Sequence, residues 1–226
     1  MDKKIKNILL WILDLGINLG IIAILVFVIQ TWLIAPFDVS GASMCDTFNL
    51  IDEKCQTGYG EKIIINEATY LFNEPVRGDI VVFKPQEDGD KYFIKRVIGL
   101  PGETVQIKNG EVYVTNKENK ETFKLNEDYL NEKNKGKTTA YFSDFSTFEV
   151  PEGSYLLLGD NRRESTDSRS CFMQSINESC KDSPEKAFVK KELIRGKAFV
   201  AWWPLQNIRL IKEPIYQTNS ESLEEK

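Results

Sequence analysis

From Ile8 to Ile34 the chain is almost continuously apolar, with Asp14, Asn18, Gln30 and Thr31 as its polar interruptions. Wound as an α-helix at ~1.5 Å per residue, such a run reaches roughly 40 Å, enough to cross a hydrocarbon layer of about 30 Å. A cleaved leader is the competing reading, but its apolar region runs to about 7 to 15 residues and ends at a small-x-small site. This run is longer and ends at Ile34-Ala35-Pro36. Residues 8–35 are therefore expected to form an uncleaved transmembrane anchor. Lys3, Lys4 and Lys6 precede the span, whereas Asp38, Asp46, Asp52 and Glu53 outnumber Lys54 after it. Positive charge stays on the cytoplasmic side, which leaves residues 1–7 inside and exports everything after Pro36. Trp32 and Phe37 would mark the outer interface. Gly16 and Gly20 form a small-xxx-small spacing that a second helix could pack against, although such spacings arise easily by chance.

Beyond the anchor the signals change to short runs rich in Val, Ile, Phe and Tyr, separated by turn residues. The strand candidates are Lys62 to Ile65, Asp79 to Phe83, Tyr92 to Ile98, Thr104 to Ile107, Glu111 to Thr115, Tyr155 to Leu158 and Lys197 to Trp203. Pro101-Gly102 supplies a turn, and Asn109-Gly110 between two such runs is a strong hairpin signal. The expected fold is mainly antiparallel β over residues 36–215. Residues 116–149 are more polar and read as an insertion with one or two strands around Thr139 to Phe148. Residues 216–226 read as a disordered acidic tail. Trp202-Trp203-Pro204-Leu205 suits a mixture of core and an aromatic patch at the bilayer surface.

Composition narrows the chemistry. The 226 residues include 29 Lys+Arg, 34 Asp+Glu, four Cys and no His. Without His there is no Ser-His-Asp or Cys-His site, no His-ligated metal and no imidazole proton shuttle. A hydrolase of this composition must find its base among Lys, Asp, Glu or Tyr. A net charge of −5 with no basic block argues against a nucleic-acid partner.

Three segments differ from ordinary strands and turns: Ser40 to Thr47, Lys95 to Glu103, and Gly159 to Arg169. If Tyr92 to Ile98 is a strand, Lys95 shares a face with Phe93 and Val97, and Arg96 lies opposite with Tyr92, Ile94 and Ile98. An ammonium among apolar groups is desolvated, which favours the neutral amine. Within hydrogen-bond reach of a serine, that amine can take its proton, so activity would rise with pH through the lowered lysine pKa. Ser43 follows Gly41-Ala42, small residues that let a substrate backbone approach. If Phe37 to Ser43 is extended, Phe37, Val39, Gly41 and Ser43 share one face, a row able to accept a peptide strand.

In this order, and after an N-terminal anchor, the three segments resemble the bacterial type I signal peptidases. That family shows Ser-Met-x-Pro-Thr, then Lys-Arg-Val-x-Gly-x-Pro-Gly-Asp, then Gly-Asp-Asn-Arg-x-x-Ser-x-Asp-Ser-Arg, and the likeness runs from the anchor to Trp203-Pro204. The resemblance implies a Ser-Lys serine endopeptidase with Ser43 as nucleophile and Lys95 as general base. Ser165 would hydrogen-bond and orient the Lys95 amine. Gly159, Asp160, Asn161, Asp167 and Arg169 would shape the site, and Arg96 would pair with one of the two Asp carboxylates. The Ser43 N–H would be one oxyanion donor. Phe37, Val39, Met44, Phe93 and Ile94 would line pockets for small side chains at the first and third positions before the cut. The implied substrates are preproteins with signal peptides, cleaved at the outer face of the bacterial cytoplasmic membrane against lipid and near the export channel. No cofactor and no metal are implied.

The departures from the family pattern are specific. Asp46 stands where the family has Pro, Cys45 occupies the variable position beside it, Glu103 replaces Asp, and Gly41 stands where some members carry a serine that adds an oxyanion donor. The four Cys allow three disulfide pairings. Pairing Cys45 with Cys55 and Cys171 with Cys180 closes two loops of about ten residues, and the first would restrain the chain beside Ser43. Zinc binding fits neither spacing. Ser183-Pro184-Glu185-Lys186 matches S-x-x-K without its companion motifs, and Asn177-Glu178-Ser179 is a bare glycosylation sequon. Two other readings share these residues: a self-cleaving Ser-Lys protein, and an inactive anchored β domain that binds peptides.

Overall fold

Proline decides where the anchor ends. Ala35 precedes Pro36 and is disfavoured in the α region, so the first helix, α1 (Lys3–Trp32), stops short of the expected residue 35 and the chain enters strand β1 (Ile34–Ser40). The computed structural model describes residues 3–51, 54–85, 90–141, 146–173, 183–214 and 216. Over Lys3–Val28 the helix has a mean hydropathy of 2.4 and is long and apolar enough to cross a membrane. Its apolar side chains face outward all round, Trp11 and Phe27 among them, as suits a helix whose solvent is lipid.

After β1 come β2 (Leu50–Ile51), β3 (Lys54–Cys55), β4 (Tyr59–Asn66), a helical turn α2 (Thr69–Phe72), β5 (Ile80–Phe83), β6 (Phe93–Gly99), β7 (Thr104–Lys108) and β8 (Glu111–Thr115). They are followed by β9 (Thr122–Lys124), β10 (Thr147–Glu149), β11 (Ser154–Leu158), β12 (Phe188–Lys190), β13 (Ile194–Trp203) and β14 (Arg209–Leu210). The large sheet runs β1-β4-β13-β5-β6-β11-β12, with β14 on β13; a second sheet runs β10-β7-β8-β9. Every pairing among the described residues is antiparallel. β1 is an edge strand, which is where a strand tolerates Pro36.

The large sheet curls. β1 and β6 are separated by three strands, which in a flat sheet means roughly 19 Å at about 4.8 Å per strand. Yet the Phe37 and Tyr92 rings touch with centroids 5.2 Å apart, and Val39, Ile63, Ile80, Val82 and Ile94 share one buried cluster inside the curl. A second cluster on the other face takes Val81, Phe83, Val97, Tyr155 and Leu157. A third joins Ile98, Leu156 and Leu158 to Val105, Ile107, Val112 and Val114 of the smaller sheet. Alternation sends Phe93 and Val97 to one cluster and Ile94 to another, the division of β6 expected from its sequence.

The polar insertion has one strand overlapping the expected Thr139 to Phe148 stretch, of which residues 142–145 lie outside the described residues, and a second that was not expected. It contributes β9 at its start and β10 at its end, each on an edge of the smaller sheet. Residues 125–141 between them are irregular but anchored by buried Leu125 and Leu130. At the other end of the chain, Tyr216 belongs to the domain rather than the tail: its ring packs against the third cluster and beside Gly78. Residues 217–226 lie outside the described residues.

Candidate active site

The strand that was expected to carry Ser43 stops three residues before it. β1 ends at Ser40, and Gly41 has φ +82°, a left-handed conformation glycine adopts without strain. The chain then folds into a tight turn in which Cys45 N–H donates to Ala42 O and Phe48 N–H to Met44 O. Ser43 thus sits on a turn beyond the Phe37 and Val39 row. Asn161 fixes that turn from the third segment: its N–H donates to Ser43 O at 3.0 Å and its Nδ2 to Ala42 O at 3.0 Å. Asn49 fixes it from below, donating from Nδ2 to Gly41 O and Val39 O. A disulfide joins Cys45 to Cys55, with Cα atoms 5.6 Å apart. Cys180, the expected partner of Cys171, lies outside the described residues.

Lys95 meets Ser43 from β6, a strand hydrogen-bonded on both edges. Its Nζ lies 2.8 Å from Ser43 Oγ and also donates to Ile94 O at 2.8 Å. The side chain is 2 % exposed. Burial lowers the amine from its ordinary value to about 8, against the opposing pull of the Asp167 and Asp160 charges. Among the described residues Lys95 has no carboxylate at ion-pair distance, because both of those acids are already taken. A neutral amine at this distance can accept the Ser43 proton.

Arg96, on the opposite side of β6, binds Asp160 through Nε at 2.9 Å and Nη2 at 2.7 Å. Asp160 therefore is the partner of Arg96. Arg169 binds Asp167 in the same forked way, at 2.8 and 2.7 Å. Burial would raise the Asp167 carboxyl, but Arg169 and the Gly159 N–H hold it below the usual range. Gly159 has no room for a side chain: a Cβ there would lie 2.0 Å from Ser165 Oγ and 2.5 Å from Ser43 O. Ser165 departs from its expected role. Its hydroxyl is wholly buried and near enough to Asp167 to favour the carboxylate, but it satisfies hydrogen-bond geometry with no described group, Lys95 included.

A cleft of about 610 Å³ opens beside the pair. Phe37, Val39, Phe93 and Ile94 line it with Ser43 and Lys95, as do Gly41, Glu164 and Thr166. Met44 does not. Its side chain is 1 % exposed within the inner cluster, and its sulfur accepts the Asp160 N–H, so it supports the floor instead of lining the cleft. Among the described residues the Ser43 N–H has no acceptor and remains available. No group of three or more Cys, Asp or Glu side chains among the described residues is arranged to hold a metal.

Sequence reasoning missed the residues that support the site from a distance. Asp46 accepts hydrogen bonds from Asn131 and Asn134. Arg162, also wholly buried, pairs with Glu127 at 3.0 Å and donates to Thr138 and Tyr129. The usable signal was Asp46 itself, an acid where the resembled family has Pro.

Comparison with known proteins identifies a family for the chain. The family model described as signal peptidase, peptidase S26, matches residues 12–203. Signal peptidase I P of Bacillus subtilis subsp. natto is 33% identical over 214 residues, covering 93% of this chain and 97% of that protein. Signal peptidase I of Bacillus licheniformis is 35% identical over 195 residues, 84% of this chain and 87% of the relative. A crystal structure of a signal peptidase I from Enterococcus faecalis V583 is 31% identical and covers 55% of this chain and 97% of that chain, with a TM-score of 0.37. With a family match over most of its length, this chain belongs to the signal peptidases of family S26, serine peptidases that cleave signal peptides from preproteins.

Proposed function

We infer that Ser43 is the nucleophile and Lys95 the general base of a membrane-anchored endopeptidase that cuts after small residues at the first and third positions before the cleavage site. The observation that carries this reading is the 2.8 Å contact between Lys95 Nζ and Ser43 Oγ in a buried site whose amine is lowered to about 8. An extended preprotein segment adds to the edge of β1 that is unpaired among the described residues and borders the cleft. Phe37, Val39, Phe93 and Ile94 narrow the space beside it, so small side chains enter and larger ones do not.

The neutral Lys95 amine takes the Ser43 proton as Oγ attacks the scissile carbonyl. The Ser43 N–H donates to the oxyanion, a kind of contact worth about 2.7 to 4 kcal/mol in the transition state. Lys95 then returns the proton to the departing amine, leaving an ester on Ser43. Deprotonated again, it activates the water that hydrolyses that ester.

α1 spans the membrane with its lysines inside, which places the β domain on the outer face, near the export channel. Exposed Trp202, Trp203 and Leu205 suit contact with lipid headgroups. The test uses the detergent-solubilised full chain and a preprotein carrying Ala-x-Ala before its cut. Site-specific cleavage by the wild type, abolished by Ser43→Ala and by Lys95→Ala, is expected. Full activity in either variant refutes the dyad, and cleavage only of the enzyme's own chain refutes the substrate assignment.

A further inference from the structure

One stretch of the polar insertion touches all three segments that meet at the cleft. From the nucleophile turn, Asp46 accepts hydrogen bonds from Asn131 N–H at 2.8 Å, Asn131 Nδ2 at 2.6 Å and Asn134 Nδ2 at 2.9 Å. From the base strand, the Arg96 guanidinium lies 4.0 Å from the centroid of the Tyr129 ring. From the third segment, Arg162 pairs with Glu127 and donates to Tyr129, while Arg163 N–H donates to Asn134 Oδ1 at 3.3 Å. Asn134 is 3 % exposed and Glu127 5 %, far from the solvated loop that the composition suggests. None of Asp46, Asn131 or Asn134 lines the cleft.

Asp46 also lies inside the turn that carries Ser43, one residue beyond the disulfide-bonded Cys45. Asn161 and Asn49 hold the carbonyls leading into the turn, the disulfide restrains it at Cys45, and the Asp46 contacts restrain its far side. A turn freed on one side can rotate Ser43 Oγ away from an amine that is fixed by its own strand. We propose that residues 127–134 form a positioning clasp that sets the Ser43 hydroxyl against the Lys95 amine, with Asp46 bound to Asn131 and Asn134 as its operative contact. The inference rests on the Ser43 and Lys95 reading.

A misplacement of about 1 Å at a reacting group can cost about 100-fold in rate. In the solubilised full chain, Asp46→Ala and Asn134→Ala are each expected to lower kcat about 30- to 100-fold, with KM changed less than about twofold because the cleft walls are untouched. The double variant should lose no more than the worse single one. Asp46→Asn combined with Asn134→Asp restores a donor facing an acceptor between these two positions but leaves the Asn131 side-chain amide without its acceptor, and should recover part of kcat relative to Asp46→Ala. Acid-quenched reaction with an Ala-x-Ala p-nitrophenyl ester, mapped by mass, locates the acylated residue: the alcohol leaves and the acyl group remains on the serine oxygen. Slower acylation of Ser43 in Asp46→Ala supports the clasp. Acylation of Ser43 at the wild-type rate, or a kcat loss matched by an equal loss of folded protein, overturns the clasp alone. Acyl group on another residue in the wild type overturns the dyad and the clasp together.

Discussion

Lys95 and Arg96 are consecutive cations on one strand, both nearly inaccessible to solvent, and the protein treats them in opposite ways. Arg96 meets a forked carboxylate from Asp160, donates to Gly78 O at 2.8 Å and stacks on Tyr129. Its charge is fully matched, and its affinity for the proton rises further. Lys95 meets a hydroxyl and a carbonyl, with no carboxylate among the described residues at ion-pair distance. Burial pushes its amine down to about 8. The lesson is that two anions nearby do not make a cation comfortable when each is already neutralised by an arginine. Asp160 is held by Arg96 and Asp167 by Arg169, so the carboxylates shape the site while leaving Lys95 able to lose its proton near neutral pH.

That contrast can be broken at several points, in order of expected effect. Arg96→Met leaves Asp160 buried without its partner, which typically costs about 3 to 5 kcal/mol; urea unfolding of the solubilised domain should show it. Lys95→Met should go the other way. An amine lowered from 10.5 to about 8 costs the folded state about 3 kcal/mol below the folded value. The folded protein binds fewer protons than the unfolded chain between about pH 8 and 10, so wild-type stability rises with pH through that window. In Lys95→Met the rise disappears, and at neutral pH the inactive variant unfolds at higher urea than the wild type. Arg169→Met strips buried Asp167 of its forked partner and should cost stability on the scale of Arg96→Met. Its smaller and separate effect is on the folded enzyme's pH profile, because it removes a cation that lowers the Lys95 amine and uncovers the Asp167 charge that raises it. The pH-rate midpoint should move to more alkaline pH. Lys62→Met tests the opposite extreme: its pair with Asp38 is 39 % and 49 % exposed, and its loss should change stability by less than about 1 kcal/mol.

Much of this contrast was legible in the sequence, because alternation along β6 separates Lys95 from Arg96 whatever surrounds them. The Asn109-Gly110 turn likewise joins β7 to β8, and the short spacing of Cys45 and Cys55 identified a pair that is bonded. Only the start of β1 was hidden, because Ile34 and Ala35 lie inside the apolar run, where no period-2 pattern distinguishes strand from helix. Ser43 was assigned to an extended row because the left-handed turn at Gly41 depends on long-range contacts with Asn49 and Asn161. The clasp was invisible for the same reason. Asp46 lies 85 residues from Asn131 and 88 from Asn134, and Asn, Lys and Glu in a polar stretch look like a solvated loop until a distant acid orders them. Met44 read as a pocket residue, yet burial beside Asp160 takes it out of the cleft.

The most direct test of a lysine acting as base is the pH dependence of single-turnover acylation of Ser43. If the neutral Lys95 amine takes the serine proton, the rate climbs about tenfold per pH unit on the acid side and levels off above about 8. A rate that stays flat from about pH 6 to 10, or a midpoint at the ordinary lysine value of about 10.4, would contradict the assignment.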